Sequence, residues 1–304
     1  MIKIDFDDNF NYSPCENCII CDRILTQENK SKESSFPKWL LDWFDEKDIL
    51  KHHTEEFFDE LEIPCCSECF DEVLLGLDKE IQDTVFNGYD AFIKIPKHKI
   101  ALWTAKVYLG LFTKEYGAVL EKNNRLGHDL RDDKELEKYL TTFLIIRSMF
   151  KMTDFDEKLY SLLVFNVRKN EKSNNYSHYY NLGNNVIFLR IEEVGIILSL
   201  QDGSLMEQIF KGDSKYSNFM DKEISFEQFV ELFSHYFYNL TLSHYTPAFS
   251  TIKHEGMDQV SLMNPPHRIN LEFAPWEKDE YYEYFEFLTQ FLTGKEVSIN
   301  DSFL

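Results

Sequence analysis

The sequence predicts an α+β protein, in which a cysteine-bearing N-terminal unit precedes a mixed body of helices and antiparallel strands. Three observations predict it. All six cysteines fall between Cys15 and Cys69. Two long segments downstream, 97–116 and 133–152, carry apolar residues at helical spacing. From residue 160 onward, short β-branched or aromatic runs are bounded by Asn, Gly, Glu and Asp, as strands of an antiparallel sheet are. A chain of 304 residues, 43% of them hydrophobic, can fill a substantial core as one large domain or two. A soft boundary near residue 90 divides it into 1–90 and 91–304.

The N-terminal unit starts with a short strand and loop over residues 1–14, leading into the first cysteine pair. Two C-x2-C pairs can be drawn, Cys18/Cys21 and Cys66/Cys69, with Cys15 and Cys65 as near duplicates that leave the choice of ligand within each pair open. Four thiolates in two such pairs satisfy a tetrahedral Zn²⁺, and the two-residue spacer lets one tight turn aim both sulfurs at one ion. The N-terminus, MIKIDFDDNF, is acidic where a secretory signal would be basic and then apolar, and no run approaches the ~18 apolar residues of a membrane span. Both points place the protein in the cytoplasm. Thiols stay reduced there, so the pairs read as structural zinc ligands and not as disulfides.

Between the pairs, Gln27–Ser35 is polar and reads as an exposed loop. After Pro37, which suits a first helical turn, Trp39, Leu40, Trp43, Phe44 and Leu50 fit one helix face. A helix from Ser67 carries Phe70, Val73, Leu74, Leu77 and Ile81 on one side. The second cysteine pair therefore opens a helix, whose N–H groups and dipole favour thiolates.

In the body, Lys97–Tyr116 is apolar nearly all round, which predicts a helix packed on two sides. The polar stretch Glu121–Asp132 reads as a loop. Leu136, Leu140, Phe143, Leu144 and Ile146 make the stripe of a second helix. Strands follow at Tyr160–Val167, Val186–Ile191 and Gly195–Leu200, with a turn at Asp202-Gly203. Ser225 and Gln228 form a capping-box pattern ahead of a helix to Ser243, striped by Phe226, Phe229, Val230, Phe233, Phe237 and Leu240. Residues 246–274 contain several prolines and room for a further strand or two. The last helix, Trp276–Leu292, is aromatic and acidic. Trp276, Tyr281, Tyr284, Phe285, Leu288 and Phe291 either dock it on the body's own core or form an association surface.

Charge narrows the function. The chain holds 53 acidic and 32 basic residues, a formal charge of −21. Nucleic-acid binding draws most of its affinity from cations set against phosphates, so direct DNA or RNA binding is disfavoured. Either the acidity is a solubilising surface, or it docks on a basic partner that handles nucleic acid. There is no G-x-x-x-x-G-K-[ST] or G-x-G-x-x-G phosphate loop. Ser234-His235 and Ser243-His244 lie on a helical pattern without a glycine elbow, which is not a nucleophile site.

A C-x2-C knuckle, an insert and a second C-x2-C opening a helix together resemble the treble-clef (ββα-metal) finger of HNH-type nucleases. In that family the segment after the first knuckle runs Leu-Thr, then Glu-His, apolar residues, Pro, a basic residue and Trp-Leu. This chain has Leu25-Thr26 and then Glu33-Ser34-Ser35-Phe36-Pro37-Lys38-Trp39-Leu40. The family's His is the general base and an Asn or His after the last cysteine helps hold a divalent cation. Here those positions are Ser34 and Phe70. A serine hydroxyl accepts no proton near neutral pH without a base beside it. The resemblance therefore implies a degenerate HNH-like finger with no catalytic residues. The body is also similar to bacterial and phage proteins that join such a finger to a downstream domain, which implies a setting in phage–host conflict.

The expected function is a non-enzymatic, zinc-binding acidic module that recognises a protein partner with a basic surface. The alternatives are a metal-dependent nuclease with relocated groups, for which His52, His53 or a residue outside this frame would have to serve, and a structural protein whose aromatic tail forms a homo-oligomer.

Overall fold

The computed structural model describes residues 16–42, 61–126, 134–151, 157–170, 175–254, 257–298 and 302–304. The expected strand and loop over 1–14, Cys15, His52, His53 and the helix-face residues Trp43, Phe44 and Leu50 lie outside the described residues. The protein is α+β, with an antiparallel-rich sheet. Among the described residues, no helix is long and apolar enough to cross a membrane.

The chain forms two interleaved units. One comprises Met1–Gln82, His98–Phe155 and Ser250–Ser261; the other comprises Asp83–Lys97, Asp156–Phe249 and Leu262–Leu304. The division runs across the 1–90/91–304 boundary drawn from the sequence. The helical segments after residue 97 share contacts with the cysteine-bearing segment, and a short stretch before it goes with the sheet.

In the first unit, α1 (Lys38–Leu41) follows Pro37, which sits as its N-cap in extended conformation, one residue outside the first turn. Its Trp39 stacks on Trp103 at 5.9 Å and Leu40 is fully buried. After α2 (Ser67–Cys69) the helix widens through a π turn over Phe70–Leu74 and continues as α3 (Leu75–Phe86). Phe70, Leu74, Leu77 and Ile81 are buried as the stripe predicts, whereas Val73 is partly exposed because the wider π turn rotates it off that face.

The helix α5 runs from Lys97 to Leu126. Its centre is buried on every side, from Trp103 through Phe112. It extends ten residues past Tyr116, so the first half of the expected Glu121–Asp132 loop is helical; Glu, Lys, Leu and Arg there are good helix formers and Gly117 alone does not stop them. The helix α6 (Lys134–Lys151) matches its predicted span closely. Gly110 lets α5 approach the segments around Ser35 and Leu61: a Cβ there would lie 2.0 Å from Ser35 Oγ and 3.0 Å from the Leu61 carbonyl oxygen.

The second unit is built on a five-stranded sheet in the order β2-β3-β4-β1-β5. Its strands are β1 (Ser161–Val167), β2 (Tyr176–Asn181), β3 (Val186–Ile191), β4 (Val194–Ser199) and the two-residue β5 (Glu223–Ile224). All pairings are antiparallel except β5, which lies parallel to β1. β3 and β4 turn tightly at Glu192, whose φ is +54°. Every residue of β3 and β4 is buried, as continuous apolar runs predict, while β2, at the sheet's edge, is buried only at Tyr176 and Tyr179 and half-buried elsewhere. Its polar tyrosine-rich run, YSHYYN, hides it from a search for apolar strands.

Two short helices follow the sheet, α7 (Leu205–Gly212) and α8 (Ser214–Ser217). The buried Asp202 carboxyl caps α7: it accepts N–H bonds from Ser204 and Met206 and the Ser161 hydroxyl at 2.5 Å, while Ser161 Oγ accepts the Glu207 N–H. Burial lifts that carboxyl to about 6. The network ties the start of β1 to α7 through groups that would otherwise be orphaned.

The long helix α9 (Phe226–Leu242) carries the predicted capping box, with both Ser225 and Gln228 side chains bonded. Phe229 and Phe233 lie on Phe188 at 4.5 and 4.8 Å, and Phe229 on Phe165 at 5.4 Å. Strands β6 (Phe249–His254) and β7 (Met257–Leu262) pair in the predicted proline-rich region. The last helix, α10 (Lys278–Thr293), docks on α9 through Tyr281, Phe285 and Leu288, leaving Phe287, Phe291 and the preceding Trp276 partly exposed. Of the two roles open to its aromatic stripe, core docking takes those three residues.

Gly195 shows how tight this core is. A Cβ there would meet the Phe229 ring at 2.5 Å and Val167 Cγ2 at 2.8 Å. Gly195→Ala should therefore cost about 1–3 kcal/mol, the usual range for an overpacked core. Denaturant unfolding of the single variant and of Gly195→Ala combined with Phe229→Leu checks this: the smaller side chain should make the alanine close to neutral relative to Phe229→Leu alone.

Candidate metal centre

The first cysteine pair sits on a tight hairpin. Asn17 bridges Ile24, the Leu25 N–H donates to the Glu16 carbonyl at 2.7 Å, and the Cys18 N–H donates to the Arg23 carbonyl at 2.8 Å. Asp22 closes the turn at φ +67°, a left-handed conformation that a short polar side chain tolerates. Its carboxylate accepts from Asn17 and pairs with the buried Arg147 of α6 at 2.7 Å. That ion pair fixes the turn to the helical layer of its own unit.

The second pair is set at a helix start. Cys66 is the extended N-cap residue and Cys69 closes the first turn. The Phe70 N–H donates to the Cys66 carbonyl at 2.9 Å. The segment around Asn29 to Ser31 pairs with Cys65–Ser67 through Ser31 N–H to Cys65 O and Ser67 N–H to Asn29 O. The Ile19 N–H, donating to the Pro64 carbonyl at 2.7 Å, and the Arg23–Glu68 ion pair at 2.7 Å join the two halves.

These constraints bring the sulfurs of Cys18, Cys21, Cys66 and Cys69 within 4.8 Å of one another, close enough to hold one metal ion. Cys21 and Cys66 are 3.7 Å apart. A tetrahedron with metal–sulfur bonds of about 2.3 Å has edges of about 3.8 Å, so the donor set fits a thiolate-bound ion. Cys18 and Cys66 are buried and Cys21 is exposed.

Cys65 stands beside this group. Its buried thiol lies 3.9 Å from Cys18 Sγ, from which it accepts, and donates to the Cys66 carbonyl oxygen at 3.4 Å. The contact with Cys65 draws the Cys18 thiol down to about 4 against the opposing effect of burial. The same bond and burial push Cys65 up, and burial pushes Cys66 and Cys69 up. Cys65 thus packs directly against one of the four converging sulfurs, in a position to orient it.

Ser34 and Phe70 both serve local packing. Ser34 Oγ accepts the Phe36 N–H at 3.1 Å, and Ser34 bridges Glu62, so the hydroxyl stabilises a local turn. Phe70 is 4% exposed and its ring lies 5.6 Å from Lys106 Nζ.

Lys106 belongs to a network that the sequence pattern hides. Its fully buried ammonium bonds Asp78 at 2.6 Å, and the Trp103 indole N–H donates to the other oxygen of Asp78 at 2.9 Å. Burial pushes Lys106 down and Asp78 up, each opposed by the other's charge. One signal could have found the pair: each residue falls within an otherwise apolar helix face, and the two are of opposite sign. The Asp22–Arg147 pair leaves no such trace. Comparison with protein-family models, with curated proteins and with solved structures finds no match to this chain.

Cys66→Ser should reduce bound metal, measured by elemental analysis of purified protein, to less than about half an equivalent, while Cys65→Ser should retain it. A Cys65→Ser protein without metal would instead make Cys65 a ligand. Separately, Lys106→Met should destabilise the protein by about 3–5 kcal/mol because it strands a buried carboxylate. Denaturation of Lys106→Met combined with Asp78→Asn should recover most of that loss, since Asn still accepts the Trp103 N–H without a charge.

Proposed function

We propose that this chain is a non-enzymatic zinc protein whose acidic surface binds a protein partner with a basic surface. Its first unit is read as a treble-clef, HNH-like finger: a hairpin turn supplies one cysteine pair and a helix start supplies the other. Zinc is the ion that suits four thiolates in a closed tetrahedral set. When bound, it supplies folding free energy and no open position for a substrate water.

The observation that carries the reading is the chemistry at the two HNH positions. Ser34 Oγ is engaged with the Phe36 N–H, and Phe70 packs its ring near Lys106. Neither can take up a proton from water or hold a second cation. With the site's chemistry absent, a formal charge of −21 is the chain's strongest recognition property. A cationic, nucleic-acid-handling complex is the partner it suits, because the acidic chain can occupy the groove that phosphates would otherwise fill. A cytoplasmic setting in phage–host conflict fits this role and the reduced cysteines.

Binding to such a basic complex should weaken by about tenfold or more between 50 and 300 mM salt, through both screening and the release of counterions. Titration calorimetry across that range checks it, and salt-insensitive binding would count against an electrostatic partner. Incubating the zinc-loaded protein with DNA and RNA in Mg²⁺ or Mn²⁺ should leave both intact; cleavage abolished by a single carboxylate or histidine substitution would return the chain to the nucleases.

A further inference from the structure

The second unit contains an extended segment whose surface is unlike the rest of its core-facing strands. Between the short 3₁₀ turn at Pro266–Arg268 and α10, Ile269 is in extended conformation, with φ −128° and ψ 158°. Glu272–Ala274 pairs antiparallel with the end of α9 and the residues after it: Phe273 is bridged to Ser243, the His244 N–H donates to the Glu272 carbonyl at 3.0 Å, and the Ala274 N–H donates to the Leu242 carbonyl at 2.9 Å.

That pairing uses one edge of the segment. In an antiparallel ladder, backbone groups of successive residues point to opposite edges, so Phe273 directs its own N–H and C=O away from Ser243. Among the described residues, they have no backbone partner. Ile269, Leu271 and Phe273 recur at period two and are 40%, 36% and 37% exposed. The Ile269 N–H is taken by the Pro266 carbonyl at 3.3 Å, so the open backbone lies around Phe273; an exposed apolar run beside such an edge is the arrangement to which a further strand adds.

Trp276 extends the apolar surface and is held rigidly. It is 40% exposed, yet Tyr238 meets it edge-on at 4.6 Å, with Tyr281 at 5.0 Å and His235 stacked at 5.4 Å. A fixed aromatic anchor loses little freedom when a partner covers it. The flank is acidic: Glu272, Glu277, Asp279, Glu280, Glu283 and Glu286 are all exposed, against Lys278 as the one cation from 269 to 286.

We propose that Ile269–Trp276 is a docking edge for an extended, basic segment of a partner protein, which adds as a strand and alternates apolar side chains with lysine or arginine. The proposal rests on the reading of the chain as an acidic partner-binding protein and places its contact surface. Charge selects the occupant. A second copy of this chain would set carboxylates against carboxylates across the new pair, whereas a basic strand neutralises them.

The test uses the full-length, zinc-loaded protein and a labelled peptide probe of alternating lysine and valine or phenylalanine. Two control peptides replace lysine by glutamate, or the apolar residues by serine. By fluorescence anisotropy at low salt, the basic–apolar probe should bind at least about tenfold more tightly than either control. Ile269→Ser with Leu271→Ser should weaken it by about tenfold or more, with circular dichroism unchanged. Hydrogen exchange should show new protection of the Phe273 amide in the complex, a readout that purely electrostatic adhesion would not move. Equal binding of the serine-for-apolar control, or no loss in the double variant, overturns the docking edge. Light scattering that shows a dimer abolished by the same substitutions also overturns it, in favour of self-association. The two levels separate in a salt-titrated binding assay with a purified basic partner. Binding by wild type that the double variant matches removes this edge and leaves the proposed function standing; a wild type that takes up neither basic probe nor basic partner removes both.

Discussion

The first unit depends on holding four sulfurs within 4.8 Å although the two pairs are separated by more than 40 positions in the chain. Such closeness is unfavourable for charged thiolates in each other's presence unless a cation sits among them. The fold meets it from several directions at once. A left-handed Asp22 turns the first pair, the Ile19–Pro64 bond clamps the halves, and the helix start presents the second pair. Among the described residues a fifth thiol, Cys65, packs on Cys18 from a buried position. Without an ion these local bonds would have to resist the repulsion of any thiolates they gather, so a bound metal and folding would be linked in this unit.

Buried charge plays a different part in the helical layer next to the cysteines. Lys106 and Asp78 are each costly to bury alone, and their bond offsets part of that cost while fixing Trp103 through its N–H. Such a pair contributes more to uniqueness of packing than to net stability. Slippage of α5 against α3 would separate the charges in an apolar setting, a penalty that hydrophobic residues at the same positions would not impose.

Much of this architecture was legible in the sequence, and the failures have physical reasons. The continuous apolar runs of β3 and β4, the capping box of α9 and the two-sided burial of α5 follow directly from periodicity and cap chemistry. Among the described residues the four cysteines that converge are the two C-x2-C pairs drawn from the sequence, whose near duplicates Cys15 and Cys65 the spacing left open; Cys15 lies outside the described residues. β2 escaped notice because an edge strand need not be apolar, and α7 because eight residues give too little periodicity. The end of α5 was misplaced because polar helix formers look like a loop when no cap marks a stop. The Lys106–Asp78 pair left only the trace of two opposite charges within apolar helix faces, and the Arg147–Asp22 pair, between α6 and a turn, is a tertiary fact that no local pattern shows. The grouping of the helices after residue 97 with the cysteine-bearing segment belongs to the same class.

The interleaving of the two units has a consequence for how the chain is made. The cysteine-bearing unit takes in Ser250–Ser261, and the sheet unit takes in both Asp83–Lys97 and residues from 262 onward. Neither unit has all its parts until synthesis has passed residue 261. During translation the four thiols therefore emerge long before the fold that shelters them is complete, and an ion captured early would hold the first segment together while it waits. A metal ion held by these thiols would then act as a placeholder in time, preserving a half-built unit against oxidation and misassembly until its distant partners leave the ribosome.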